Sequence, residues 1–139
     1  MAMDESRKMY VEMPIVVHTY DVDYMQIISN TVYIKWLEDM RMAILDKYFP
    51  LTEMLKSHSS PILGETHIQY KHPVTFGCKP QGRCWIWLTR KGRWKAEFVI
   101  EEGDKIYATA WQTGYYFNMK SRRPAPFPEE MIEKYLIEE

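Results

Sequence analysis

Between Asn30 and Phe49 the apolar residues Tyr33, Trp36, Leu37, Met40, Ala43, Ile44 and Tyr48 recur three and four positions apart. Lys35, Glu38, Asp39, Met42 and Asp46 take most of the other face. No Gly or Pro interrupts Thr31 to Phe49. Pro50 cannot continue the hydrogen-bond ladder, and Ser29 or Asn30 can cap the first turn, so the pattern predicts a helix of about 18 residues, roughly 27 Å long.

Upstream, the β-branched and aromatic run Met13 to Tyr20, "MPIVVHTY", predicts a first strand with Pro14 near its start or on an edge. Downstream, Leu51 to Pro61 reads as an extension of the helix pair or a short second helix, with a polar end that forms a loop. The pattern then changes period. "ETHIQYKHPVTF", "RCWIWLTR", "RWKAEFVIEE" and "KIYATAWQTGYYF" are strand-like, and "RKGR" and "EEGDK" between them are hairpin turns, which predicts an antiparallel meander. The C-terminal "SRRPAPFPEEMIEKYLIEE" opens with prolines and ends in a short amphipathic helix. These elements imply an α+β fold, an antiparallel five-stranded curved sheet wrapped around one long central helix. One helix covers one face of a sheet, so the remaining apolar strand surface predicts self-association, as a homodimer or homotetramer.

The length, 139 residues with 46% apolar, suits one domain spanning residues 1–139. With 18 basic and 19 acidic residues the formal net charge is −1. No global field draws the chain to nucleic acid or an anionic membrane, so an anion site must be local. The charged N-terminus lacks the apolar core of a signal peptide, and no segment is apolar enough to span a bilayer, which predicts a cytoplasmic protein. Cys78 and Cys84 fit neither a disulfide framework nor a zinc site and read as reduced thiols.

The chemistry concentrates in "YDVDYMQIISNTVYIKWLEDMR", Tyr20 to Arg41, where Asp21 and Asp23 precede the helix. Free N–H groups of a first helical turn carry partial positive charge and can hold a developing oxyanion. A carboxylate beside them can activate water or attack a carbonyl. Asp21 or Asp23 supplies the carboxylate, and the amides around Asn30 supply the donors.

This stretch resembles the signature of the hot-dog fold acyl-CoA thioesterases of the 4-hydroxybenzoyl-CoA thioesterase type: Asp-x-Asp, a short loop, Asn-x-x-Tyr or a near variant, and an aromatic-rich helix carrying Glu. "IQYKHPVTFGCKP" is similar to the family's Tyr-x-x-Pro strand and Gly turn, and "SRRPAPFPEEM" to its Pro-rich C-terminal segment, so the resemblance spans roughly Ile15 to Met131. It implies thioester hydrolysis, with Asp23 as nucleophile or general base, Asp21 as a more structural carboxylate, and the backbone near Asn30 as oxyanion donor. It also implies that Tyr24, Ile28, Ser29 and Tyr33 border the substrate, and that Arg90 and Lys91, in "TRKGR", meet the phosphates of an acyl-CoA. The resemblance implies an acyl-CoA or acyl-ACP substrate and no cofactor. Three departures stand out: Asn30 where many relatives have His or Tyr, Gln26 where a loop Gly is common, and Tyr24 and Met25 where smaller residues are usual. The last pair would narrow the acyl pocket.

Other readings carry less. Read without the resemblance, Asp23 is a turn residue, and Glu38 is a surface partner of Arg41 three residues on. His67 and His72, five apart on a strand, fall on opposite faces, which argues against a metal. No G-x-S-x-G elbow surrounds Ser59, Ser60 or Ser121. The aromatic and basic mixture "RCWIWLTRKGRWK" suits single-stranded nucleic acid, but strand packing explains its tryptophans more simply. A non-catalytic acyl thioester-binding protein of the same fold is the alternative function. A hydratase of that fold would need a His beside the Asp, and no such pair is evident in the sequence.

Overall fold

The computed structural model describes residues 9–136. Strand β1 (Met9–Pro14) leads through a single 3-10 turn (Thr19–Asp21) into helix α1 (Asn30–Tyr48), and a short α2 (Leu51–Leu55) follows. Strands β2 (Ser59–Tyr70), β3 (Gln81–Leu88), β4 (Arg93–Glu102) and β5 (Lys105–Asn118) come next, then β6 (Arg123–Pro124) and α3 (Glu129–Tyr135). The sheet runs β1-β3-β4-β5-β2 and its pairs are antiparallel. Five long strands match the expected number. The two-residue β6 adds a sixth, pairing Phe117 and Asn118 of β5 beyond the point where β4 begins.

Burial alternates along β4, with Trp94, Ala96, Phe98 and Ile100 facing inward and Lys95, Glu97 and Val99 outward. The matching inner positions of β3 are Gly82, Cys84, Ile86 and Leu88. Helix α1 lays its stripe of Val32, Tyr33, Trp36, Leu37, Met40 and Ile44 on this inner surface, and packs chiefly against β1 and β3. A Cβ on Gly82 would lie 2.5 Å from Met40 Sδ, so the missing side chain is what lets helix and sheet approach.

Two strands lie elsewhere than their sequence suggests. β1 is Met9–Pro14 and not Met13 to Tyr20. Pro14 has no N–H to give, the ladder stops there, and the following Ile15 N–H donates to Pro80 O at 2.9 Å. β2 starts at Ser59, inside the expected polar loop, and ends at Tyr70, before "KHPVTF". Edge position tolerates Pro61, and the register shift between Leu63 and Glu65 absorbs Gly64 as a bulge. The helix expected after Pro50 is the short α2, closed by His58 in the left-handed region at φ 62°.

Of the five tryptophans, Trp36 and Trp94 pack inward. Trp85 stacks on Tyr10 at 6.3 Å and donates from Nε1 to Glu97 at 2.6 Å. His67 stacks on Trp111 on the outer face, whereas His72 lies past the end of β2, so the two do not share a strand. Among the described residues no helix is long and apolar enough to cross a membrane.

Candidate active site

The Asp pair is split by local backbone geometry. Asp21 closes the 3-10 turn and is buried at 6% exposure; its Oδ2 accepts the His18 N–H at 2.9 Å and lies 3.3 Å from His18 Nδ1. Its carbonyl also accepts the Ser29 N–H at 3.2 Å, which ties the turn to the start of α1. Asp23, two residues on, sits at the mouth of a tight hairpin turn and is exposed. The Asp23 carbonyl accepts from Gln26 at 2.9 Å, the Asp23 N–H donates to Ile27 O at 2.9 Å, and its Oδ1 accepts from the Met25 N–H at 2.8 Å. Gln26 adopts φ 66°, the left-handed conformation that glycine takes without steric cost, which accounts for a loop Gly being common at this position in the family it resembles.

The hairpin then pairs with the loop after β2: the Ile28 N–H donates to Val74 O at 2.8 Å, and Ile27 bridges Thr75. Ile28 is therefore buried, and its side chain belongs to the core. Ser29 occupies the N-cap position with φ −63° and ψ 143°, but its side chain makes no capping bond and its Oγ lies 3.1 Å from Thr31 Oγ1. Capping by Ser29 or Asn30 side chains is thus a correction. Asn30 is the first helical residue, and among the described residues no acceptor meets the Asn30 or Thr31 N–H. From Ile27, opposite Asp23, to Asn30 is three residues, at most about 10 Å of chain. Exposed carboxylate and open amides therefore belong to one short connected stretch, the hairpin turn and the helix start it feeds.

Tyr33 is buried one turn into α1, its ring edge-on to Tyr70 at 5.0 Å and to Trp36 at 5.2 Å. Burial pushes the Tyr33 phenol above its usual pKa, against a smaller lowering by the Val74 backbone. Tyr24 and Met25 are 92% and 61% exposed and project from the turn tip, so within one chain they do not narrow a pocket. Arg90 and Lys91 are exposed in the β3–β4 turn. That turn is not at the Asp23 end. Residues of the C-terminal half of α1, Arg41 and Leu45, lie beside Leu88 and Trp94, whereas the helix start meets Tyr70 and Val74. Eight residues of β3 at about 3.3 Å each separate the two ends by roughly 26 Å. Glu38 is exposed and makes no ion pair with Arg41, so the expected surface pair is also corrected.

The sequence reading missed His18. The 3-10 turn folds it back onto Asp21, and Tyr20 stacks on its ring at 4.7 Å. Both border a cleft of about 310 Å³ along the first turns of α1, with Trp36, Lys35 and Asp39 on its far side. The signal was His-x-x-Asp ahead of a helix, legible only if the segment is read as a turn and not as a strand.

A model of the Thioesterase-like superfamily matches residues 17–135. The chain belongs to this superfamily. Its fold is the hot-dog fold, and the chemistry of the superfamily is thioester hydrolysis, so the protein is a thioester hydrolase by class. No curated protein matches by sequence. The 1,4-dihydroxy-2-naphthoyl-CoA thioesterase from Synechocystis superposes with a TM-score of 0.78 at 14% identity, covering 86% of this chain and 90% of that one. A hypothetical protein from Staphylococcus aureus solved in complex with CoA gives 0.78 at 14% identity, covering 90% and 80%. The 12:0-ACP thioesterase from Umbellularia californica gives 0.80 at 15% identity; the match covers all of this thioesterase-like chain, 100%, and 57% of the plant one.

Proposed function

We propose that the protein hydrolyses an acyl-CoA thioester to the free acid and thiol at the N-terminus of α1. The observation that carries this reading is an exposed Asp23 carboxylate on the hairpin turn that leads into α1, together with the Asn30 and Thr31 N–H groups at the helix start, which have no acceptor among the described residues. A thioester carbonyl oxygen accepting those N–H groups would gain negative charge where donors and helix dipole favour it. The free Oδ2 of Asp23, with Oδ1 fixed by Met25, would act as nucleophile on the carbonyl carbon or as general base on water. Asn30 contributes through its backbone, since an amide side chain is no base. Asp21 and Ser29 hold the turn against the helix, and Tyr33 and Ile28 form its apolar floor. CoA is the preferred carrier because structural neighbours include a CoA-thioester hydrolase and a CoA complex; the ACP-thioesterase neighbour makes acyl-ACP the second carrier to assay. The Arg90 and Lys91 turn would meet phosphates only on a substrate bound across a second copy, which fits a homodimer or homotetramer. One hot-dog domain, residues 1–139, and a cytoplasmic setting complete the reading.

The His18–Asp21 pair supports a second reading, hydration or dehydration of an acyl thioester, with His18 moving the proton. A panel of short, long and aromatic acyl-CoAs, together with a 3-hydroxyacyl-CoA, separates the two. Thiol release from the panel with no enoyl product supports hydrolysis. Enoyl product without thiol release would replace it with the second reading, and saturable binding with neither product would make the protein a non-catalytic acyl thioester binder.

A further inference from the structure

In the C-terminal half of α1, Arg41 reaches toward β4, its guanidinium carbon 5.8 Å from the centre of the Trp94 ring. Among the described residues it makes no hydrogen bond or ion pair, and its Nε is buried with no acceptor. The Trp94 indole N–H is buried and without an acceptor as well. That ring is held in place: it lies so close over Gly114 that a Cβ there would come 2.7 Å from Trp94 Cε2, the atom bonded to Nε1. Both side chains line one small cavity of about 30 Å³, room for a single water-sized occupant. Its other walls are apolar side chains, among them Met54, Ile86, Leu88 and Met131, and among the described residues no carboxylate lines it. Burial also pulls the Arg41 pKa down, opposed only through space by Glu38 and Cys84, as expected of a cation desolvated without a bonded counter-ion.

The chemistry of the walls selects the occupant. Guanidinium and indole N–H groups can only donate. A water would accept from them, but its own O–H groups would face side chains whose best acceptors are weakly accepting thioethers. A monatomic anion accepts from every direction, donates nothing and supplies the charge that the guanidinium lacks. We propose that this cavity binds one halide ion, chloride in ordinary salt, held by Arg41 and the Trp94 indole N–H. Its volume excludes carboxylates, sulfate and phosphate, so the site selects by size as well as by charge. Polarisable thioether walls suit chloride or bromide over the strongly hydrated fluoride. The site lies apart from the Asp23 turn and does not depend on the reading of Asp23.

Thermal melts of the whole protein, with sodium chloride replacing sodium gluconate at constant ionic strength, test the assignment, because screening is then the same throughout. A ligand that binds only the folded state raises the unfolding midpoint with its concentration. Chloride and bromide are expected to raise the midpoint by a few degrees over gluconate, and sulfate and fluoride are not. The chloride NMR line width should broaden in the presence of the protein and narrow again when bromide is added. Trp94→Phe, which keeps an aromatic ring and deletes the indole N–H, should weaken chloride about tenfold, the scale of a hydrogen bond to a charged group. Arg41→Met should abolish the chloride effect, and Asp23→Asn should retain it. Equal midpoints in chloride and gluconate would overturn the site, as would an equal rise in sulfate or a chloride effect indifferent to Trp94→Phe. Should Arg41→Met not fold, Trp94→Phe alone decides.

Discussion

At its N-terminal end α1 meets an exposed turn, with Asp23 in water and two backbone donors unspent, whereas its middle and C-terminal half bury Leu37, Met40 and Ile44 completely, at 0% exposure. The same helix thus separates two tasks. Where side chains interdigitate, every change of volume is felt in stability. Where the helix begins, backbone groups left over by the geometry of any α-helix are free for chemistry, and side chains can change with little effect on folding.

The largest effect expected from breaking this contrast is on catalysis. Asn30→Pro removes one N–H at a position where proline is tolerated, and Ser29 before it already has the extended conformation that proline demands. Thioester hydrolysis should fall by about 100- to 1,000-fold in kcat with the melting temperature nearly unchanged, while Asn30→Ala should stay within a few-fold of wild type. Leu37→Ala reverses the pattern: a loss of about 2 to 5 kcal/mol in chemical denaturation, and the residual folded fraction still active. Gly114→Ala comes next, because its Cβ would meet Ile62 O at 2.0 Å and force β5 from β2; a cost of about 1 to 3 kcal/mol is expected in the same assay. The smallest effect is a gain. Gln26→Gly relieves a left-handed residue and should raise stability by about 0.5 to 1 kcal/mol in thermal melts, a prediction that a lower melting temperature would contradict.

The buried half of the molecule was the more legible from sequence. The α1 stripe and the β3–β4 and β4–β5 turns are written in period and turn chemistry, and they appear in place. What misled at β1 and β2 was context that local pattern does not carry. Pro61 and Gly64 argue against a strand unless it lies on an edge and bulges, and the run after Pro14 looks extended until His18 is seen to turn onto Asp21. At the site, Asp23 and the helix start were readable because they are adjacent in sequence. Arg90 and Lys91 rest on the resemblance alone, and strand length carries them to the opposite end of the sheet. Arg41 and Trp94 are 53 positions apart by their numbers (94 − 41), so only the packing of α1 on β4 brings them together.

The most direct test of the central claim is thiol release from the best acyl-CoA substrate by wild type and Asp23→Asn, with melting temperatures taken on the same preparations. Because Asp23 is exposed and its turn is also held by backbone bonds, the variant should fold normally and lose at least about a hundredfold in kcat. A folded Asp23→Asn protein that hydrolyses as fast as wild type would contradict the account.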